Sequence, residues 1–273
     1  MTDSLRTDDA VGWDPAQYQR FETARDRAAQ DLIARIPADL QPRQVWDLGC
    51  GAGSQAAQLK RRFPDAAVHG LDSSPEMLDR ARSLDADVDW RQGDLRGWRP
   101  EGAVDIIFAN ASLHWLPDHA ALLPRLAAAL APGGVLAVQM PMAWETRHHR
   151  LLRDVAAQGP WAGRLSAVEA IAPLLPAEAY YAALADRCAV DVWCTTYLHV
   201  LRGPDPVLEW MAGTALRPYL TALRHEDAMR RAFLSELAGR LSEAFPPGPD
   251  GATLLQFPRL FLMARRGAEA SGR

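Results

Sequence analysis

Gly49, Gly51 and Gly53 fall within five positions directly after the short apolar run Val45-Trp46. Glycines so placed let a chain turn sharply from a strand into a helix, and they let main-chain N–H groups approach a ligand with no Cβ in the way. The stretch Asp47-Leu-Gly49-Cys-Gly51-Ala-Gly53 therefore predicts a strand, a turn shaped for a nucleotide-like cofactor, and a helix. A dinucleotide-binding turn would read G-x-G-x-x-G. Here the third glycine comes one position early and Ser54 stands where that pattern needs glycine, which disfavours a nicotinamide dehydrogenase.

Later segments recur at the intervals a parallel α/β sheet requires. Ala67 to Leu71 predicts a second strand ending in Asp72, a position from which a carboxylate can accept hydrogen bonds from ribose hydroxyls. Ser73-Ser74-Pro75-Glu76 opens a helix with a capping hydroxyl and a proline in its first turn. Val88 to Gln92 predicts a third strand closing on Gly93-Asp94, and Val104 to Ala109 a fourth closing on Asn110.

At these residues, from Val45 to about Met140, the chain resembles the class I S-adenosylmethionine-dependent methyltransferases. The resemblance implies an α/β, Rossmann-like fold: a mostly parallel seven-stranded sheet with one antiparallel strand, helices on both faces, and a helical cap. It also implies S-adenosyl-L-methionine as cofactor and S-adenosyl-L-homocysteine as product. Gly49, Cys50 and Gly51 would hold its methionine part, Asp72 its ribose with Ser73 and Met77 beside it, and Asp94 and Leu95 its adenine. The stretch Asn110-Ala-Ser112-Leu-His-Trp115 matches the fourth-strand motif lining the wall beside the reactive methyl group, and Pro132 to Val138 matches the turn into the fifth strand. Trp13, Tyr18 and Arg25 would cover the cofactor from the amino end, with Arg25 a candidate partner for its carboxylate; the alternative for Arg25 is a solvent-facing helical arginine near Glu22 and Asp26.

A narrower resemblance runs from about Trp13 to Arg265. Trp13 to Tyr18, Phe21, Phe108 to His119, Val138-Gln-Met-Pro141, Thr195-Thr-Tyr197, Leu216-Arg-Pro218 and Phe257-Pro-Arg-Leu-Phe261 are similar to the trans-aconitate 2-methyltransferase family. Two departures are Ala52, where that pattern has proline, and Met142-Ala143 before Trp144. The resemblance implies methylation of a carboxylate of trans-aconitate or a close tricarboxylic acid. Open alternatives are a methyltransferase of the same fold for another small acid, phenol or amine, and a cofactor-binding module without turnover.

A carboxylate is ionised at neutral pH, so methyl transfer to it needs no general base. It needs an in-line approach, exclusion of water, and cations or hydroxyls for the other carboxylates. No residue is therefore expected in an acid–base role. Arginine suits the holding task because its planar fork matches a carboxylate. Arg217 and Arg259, each between proline and apolar residues, are the candidates, with a helix cap and a sheet-edge salt bridge as their alternatives. Tyr197 and His199 alternate onto one strand face as possible donors, Trp144 is expected to give an apolar wall, and His148-His149 reads as an exposed helical pair.

Five segments are expected: 1–44 as an amino-terminal cover and first helix, 45–140 as the cofactor core, 141–190 as a helical lid, 191–265 as strands and helices completing sheet and pocket, and 266–273 as a disordered tail. Prolines 160, 173 and 176 cut the lid into short helices; Asp191 to Val200 alternates like a strand; Val207 to Leu223 and His225 to Phe245 read as helices, and Thr253 to Ala264 as the last strand. A net charge of -4, with Lys60 the only lysine and no basic run, argues against nucleic acid. No run reaches the ~18 apolar residues of a membrane span, and the start lacks a signal peptide's apolar core, so a cytoplasmic protein is expected. Cys50, Cys188 and Cys194 have no paired ligand spacing, which predicts reduced thiols and no metal. A monomer, or at most a weak dimer, acting on a small polycarboxylate is the expected form.

Overall fold

The computed structural model describes residues 22–168 and 172–267. Trp13, Tyr18 and Phe21, together with the tail from residue 268, lie outside the described residues, as does the side chain of Arg25. The described elements are α1 (Glu22–Arg35), β1 (Gln44–Leu48), α2 (Ser54–Arg62), β2 (Ala67–Asp72), α3 (Pro75–Arg82), β3 (Asp89–Gln92) and β4 (Val104–Asn110). A single 3-10 turn (Leu113–Trp115) precedes α4 (His119–Ala128) and β5 (Leu130–Pro141). There follow α5 (Arg147–Ala156), α6 (Ala162–Leu165), α7 (Ala177–Ala182), β6 (Cys188–Leu201), α8 (Pro206–Ala212), α9 (Arg217–Ala222), α10 (Asp227–Ala244) and β7 (Thr253–Arg266).

The strands form one sheet in the order β3-β2-β1-β4-β5-β7-β6. β1 pairs in parallel with β2 and β4, β4 in parallel with β5, and β7 antiparallel with β5. This is the mostly parallel sheet with an antiparallel insertion that the methyltransferase resemblance implies. Strand order reverses between β1 and β4, the place where open α/β sheets bind ligands beyond the carboxyl ends of their strands.

Local chemistry explains the boundaries. β1 and β4 are buried over most of their length, so they are largely apolar, with Asp47 and Asp105 as the charged exceptions. α2 begins directly after Gly53 and ends with Lys60, Arg61 and Arg62 in its last turn, where cations complement the helix dipole. Ser74 caps α3 by accepting the Met77 N–H at 3.3 Å, with Pro75 in the first turn. Asp118 caps α4 by accepting the Ala121 N–H at 3.2 Å.

The chain folds into two compact units. Among the described residues, one comprises 25–143, 172–197 and 257–267 and the other 22–24, 144–168 and 198–256. In the first unit the sheet carries a core on each face. Val45, Ile106, Phe108, Val135, Ala137 and Phe261 pack with α1 and α2 on one side, and Leu48, Ile107, Ala109, Leu136, Val138 and Leu262 pack with α4 on the other. In the second unit α5 lies along α10, and Trp161 and Tyr219 pack on Phe233 with centroids 5.4 and 6.2 Å apart. The continuous helix expected from Val207 to Leu223 is divided into α8 and α9, and α9 restarts with Pro218 in its first turn.

Candidate active site

At the end of β1 the chain turns through Gly49, Gly51 and Gly53 with φ of 80°, 53° and 86°. L side chains adopt such angles only under strain. The Gly49 and Cys50 N–H groups donate to the Leu71 carbonyl at 2.8 and 3.0 Å, tying the loop to β2. A Cβ on Gly49 would lie 2.3 Å from Ser112 Cβ, and the Ser112 hydroxyl donates to the Leu48 carbonyl at 2.6 Å. Among the described residues nothing lies within 4 Å of where a Gly51 Cβ would stand. The loop is thus closed behind Gly49 and open in front of Gly51.

Asp72 sits opposite this opening. One of its oxygens accepts the Gly51 N–H at 2.8 Å and the other accepts the Ser74 N–H at 2.9 Å. Each carboxylate oxygen retains a second lone pair, enough to receive a sugar hydroxyl while the loop stays held. Asp47, which the sequence reading did not single out, lies behind the loop with only 2% of its surface exposed. Burial, and then the charge of Asp72, push its carboxyl up to about 8, with the Ala56 N–H acting the other way. Its Oδ2 has no hydrogen-bond partner among the described residues. A buried acceptor of this kind suits a cation or strong donor arriving from outside the chain. The Cys50 thiol is buried and pushed up by desolvation and by Asp47 and Asp72, so it stays protonated.

The other expected cofactor residues are spread along the same strand ends. Ser73 is exposed and Met77 half-buried at the start of α3. Asp94 is exposed and closes a local ion pair with Arg96 at 2.6 Å, and hydrogen bonds from Arg96 hold its carboxyl below the usual range. Leu95 is buried beside it. Trp115 is 54% exposed on the 3-10 turn, and that turn is anchored by His119, whose Nε2 meets the Leu113 carbonyl at 2.9 Å and whose Nδ1 meets the Tyr180 hydroxyl at 2.7 Å.

A second polar group lies where β4, β5 and β7 run side by side. Asn110 is opposite Gln139, and Pro141 is opposite Arg259. Arg259 is 5% exposed, donates from Nη1 to Gln139 Oε1 at 3.2 Å, and stands 5.0 Å from the Phe257 ring centroid. His114 is buried nearby, and desolvation, then Arg259 and His119, push its imidazole down to about 3, which keeps it neutral. Asn110 Oδ1, His114 Nδ1 and Gln139 Nε2 are all buried without a partner among the described residues. Tyr197 is committed elsewhere: its hydroxyl donates to Asp31 at 2.5 Å, and burial and that carboxylate push its pKa up.

The remaining expected residues belong to the second unit. His199 is buried with its ring 4.4 Å from Trp210. Trp144 is half-buried, with Arg153 3.9 Å over its ring. Arg217 is exposed at the start of α9, so its apolar and proline neighbours do not bury it. The exposed reading of the His148-His149 pair is overturned. His148 is 1% exposed and shares the buried stripe of α5 with Leu152 and Val155, and His149 is half-buried against Thr146 Oγ1 at 2.8 Å. Desolvation pushes the two imidazoles down to about 2 and about 4, so both are neutral at physiological pH.

Residues 45–134, the segment holding the glycine loop, match the model of a methyltransferase domain family. The trans-aconitate 2-methyltransferase of Azoarcus sp. strain BH72 is 48% identical, covering 93% of this chain and 99% of the relative. The chain belongs to the trans-aconitate 2-methyltransferase family. The relative from Methylobacterium nodulans is 49% identical over 93% of this chain and 98% of its own, and the one from Klebsiella pneumoniae strain 342 is 45% identical with the same coverage. Among solved structures, the YcgJ protein of Bacillus subtilis superposes with a TM-score of 0.56 at 15% identity, covering 88% of this chain and 99% of that one, a likeness of fold alone.

Within this member of the trans-aconitate 2-methyltransferase family, Gly49, Cys50, Gly51, Asp72 and Ser112 are joined by direct contacts, and Asn110 stands with Arg259 in the second group. Asp47, His114 and Gln139, each with a buried atom unsatisfied among the described residues, are not among the site residues expected from the sequence, although all three lie inside the motifs that carry the resemblance. A polar side chain at a position the strand pattern reserves for apolar residues is the signal that marks Gln139.

Proposed function

We propose that this chain transfers the methyl group of S-adenosyl-L-methionine to a carboxylate of trans-aconitate, giving a monomethyl ester and S-adenosyl-L-homocysteine. When bound, the cofactor supplies a methyl group on a sulfonium, which a carboxylate oxygen takes as the carbon–sulfur bond breaks. The chain's own residues account for the rest. The Gly49-to-Gly53 turn offers an open face at Gly51, Asp72 has lone pairs for ribose hydroxyls, and the orphaned oxygen of buried Asp47 fits the cofactor's ammonium group. Asp94 and Leu95 flank the adenine position, and Asn110, Ser112 and Trp115 line the wall beside the methyl group.

The observation that carries the acceptor assignment is the buried Arg259, held by Gln139 on the same strand ends. Charge-assisted bonds from a buried guanidinium select a carboxylate. Neutral His114 leaves that cluster with a single positive charge, matched to one carboxylate, while a second is free to react. No residue removes a proton, because the acceptor oxygen is already ionised. Arg217, Trp144 and His199 are proposed as further acceptor contacts, Tyr197 as a positioning group through Asp31, and Arg25, Trp13 and Tyr18 as the cover.

No described helix is long and apolar enough to cross a membrane, no described residues group as a metal site, and the three cysteines are free. A cytoplasmic enzyme that works as a monomer or weak dimer on a small molecule, without nucleic acid or metal, completes the proposal. The test is methyl ester formation by the purified protein from methyl-labelled S-adenosylmethionine across di- and tricarboxylates, phenols and amines. Ester from trans-aconitate is expected; transfer only to phenols or amines, or to nothing, overturns the assignment.

A further inference from the structure

Gln139 is wholly buried at the carboxyl end of β5, yet only half of its amide is used. Its oxygen faces Arg259 Nη1 at 3.2 Å. A guanidinium has donors and no acceptor, so this contact fixes which end of the amide is oxygen. The two N–H donors of Nε2 must then point the other way, and they meet no acceptor among the described residues. Across the strands stand Asn110 on β4 and Phe261 on β7, neither of which satisfies them. A buried amide donor left unsatisfied in a close-packed sheet face suits an acceptor from outside the chain.

We propose that Gln139 is a specificity-determining residue that donates its amide to the same unreacted acceptor carboxylate that Arg259 binds, so that only acids carrying a second carboxylate are held. The inference rests on the acceptor reading above and adds the residue that enforces it. By orienting the guanidinium with its oxygen and the carboxylate with its nitrogen, one side chain links cation to anion with no charge of its own. A carboxylate at this position would instead cancel Arg259 and offer no donor. The neighbouring His114 stays neutral, so it neither competes for the anion as a cation nor adds a pH-dependent charge.

The test uses Gln139→Glu and Gln139→Leu with the wild type, measuring steady-state transfer to trans-aconitate and to a monocarboxylate of similar size. Binding of propane-1,2,3-tricarboxylate to each S-adenosylhomocysteine complex is measured by calorimetry. Expected are an acceptor KM at least 100-fold higher in Gln139→Glu and about 10-fold higher in Gln139→Leu, with kcat falling less than KM rises. Wild-type preference for the tricarboxylate over the monocarboxylate should collapse in both, while S-adenosylhomocysteine affinity stays within about 2-fold, which also reports that the variants fold. Unchanged KM and unchanged tricarboxylate binding in both variants overturn the proposal and leave the amide to a buried water. If the wild type makes no ester from any acid but binds the tricarboxylate, the function reading fails and the calorimetric comparison still judges Gln139. A wild type that binds no polyacid overturns both.

Discussion

The two ends of the proposed site are built from different materials. The proposed cofactor end, at β1 and β2, is a main-chain turn shaped by Gly49, Gly51 and Gly53 and pinned by Asp72 to the Gly51 and Ser74 N–H groups. The proposed acceptor end is made of side chains, Asn110, Gln139 and Arg259 on β4, β5 and β7 with His114 on the neighbouring 3-10 turn. Backbone recognition tolerates no Cβ and serves one cofactor across many enzymes. Side-chain recognition can be rewritten residue by residue, so the proposal puts acceptor choice there.

If that division holds, substitutions at one end should spare ligand binding at the other. The largest effect is expected for Arg259→Ala, which removes the buried cation and leaves an acceptor carboxylate unpaired: kcat/KM for trans-aconitate should fall by about 10³-fold, read by steady-state kinetics. Gly49→Ala should act on the other end. Its Cβ would stand 2.3 Å from that of Ser112 at a φ of 80°, so a loss of ~2 kcal/mol in denaturant unfolding and about 10- to 100-fold weaker S-adenosylhomocysteine binding are expected.

Asp47 sharpens the comparison through pH. Its carboxyl is raised to about 8 in the fold, so the protonated form prevails near neutrality, and capture of an ammonium group favours the ionised form. S-adenosylhomocysteine affinity should therefore rise about 10-fold or more between pH 6 and 8, and Asp47→Asn should weaken binding and flatten that slope. The stability sign is opposite. A folded-state pKa above the unfolded value gives stability that is full below about pH 4 and is lost as pH rises through 8. Asp47→Asn, which mimics the protonated group, should raise the ligand-free Tm by about 3 °C at pH 8.5 in a thermal melt. The smallest effect is expected at Arg217, which is exposed: Arg217→Ala should change kcat/KM by about 3-fold at most.

The same division explains what could be read before the structure. The strands ending at Leu48 and Asp72, the helix cap at Ser74 and the turn at Gly49 follow from local rules of period, capping and φ, so they are legible in the sequence, whereas the seven-stranded sheet comes only with the family resemblance. Asp47 escaped because the glycines drew the reading, although a carboxylate at a buried strand end is itself a signal. His148 escaped because a polar residue was assigned to solvent, when its spacing from Leu152 and Val155 places it on the buried stripe of α5. Gln139 and Arg259 come together only through the antiparallel pairing of β5 with β7, a contact between residues 120 positions apart that no local pattern carries.

Calorimetric titration of Arg259→Ala with S-adenosylhomocysteine, and then of that complex with trans-aconitate, tests the division most directly. The account predicts S-adenosylhomocysteine affinity within about 2-fold of wild type and trans-aconitate binding weakened at least about 100-fold. Loss of S-adenosylhomocysteine binding, or trans-aconitate binding at wild-type strength, would contradict it.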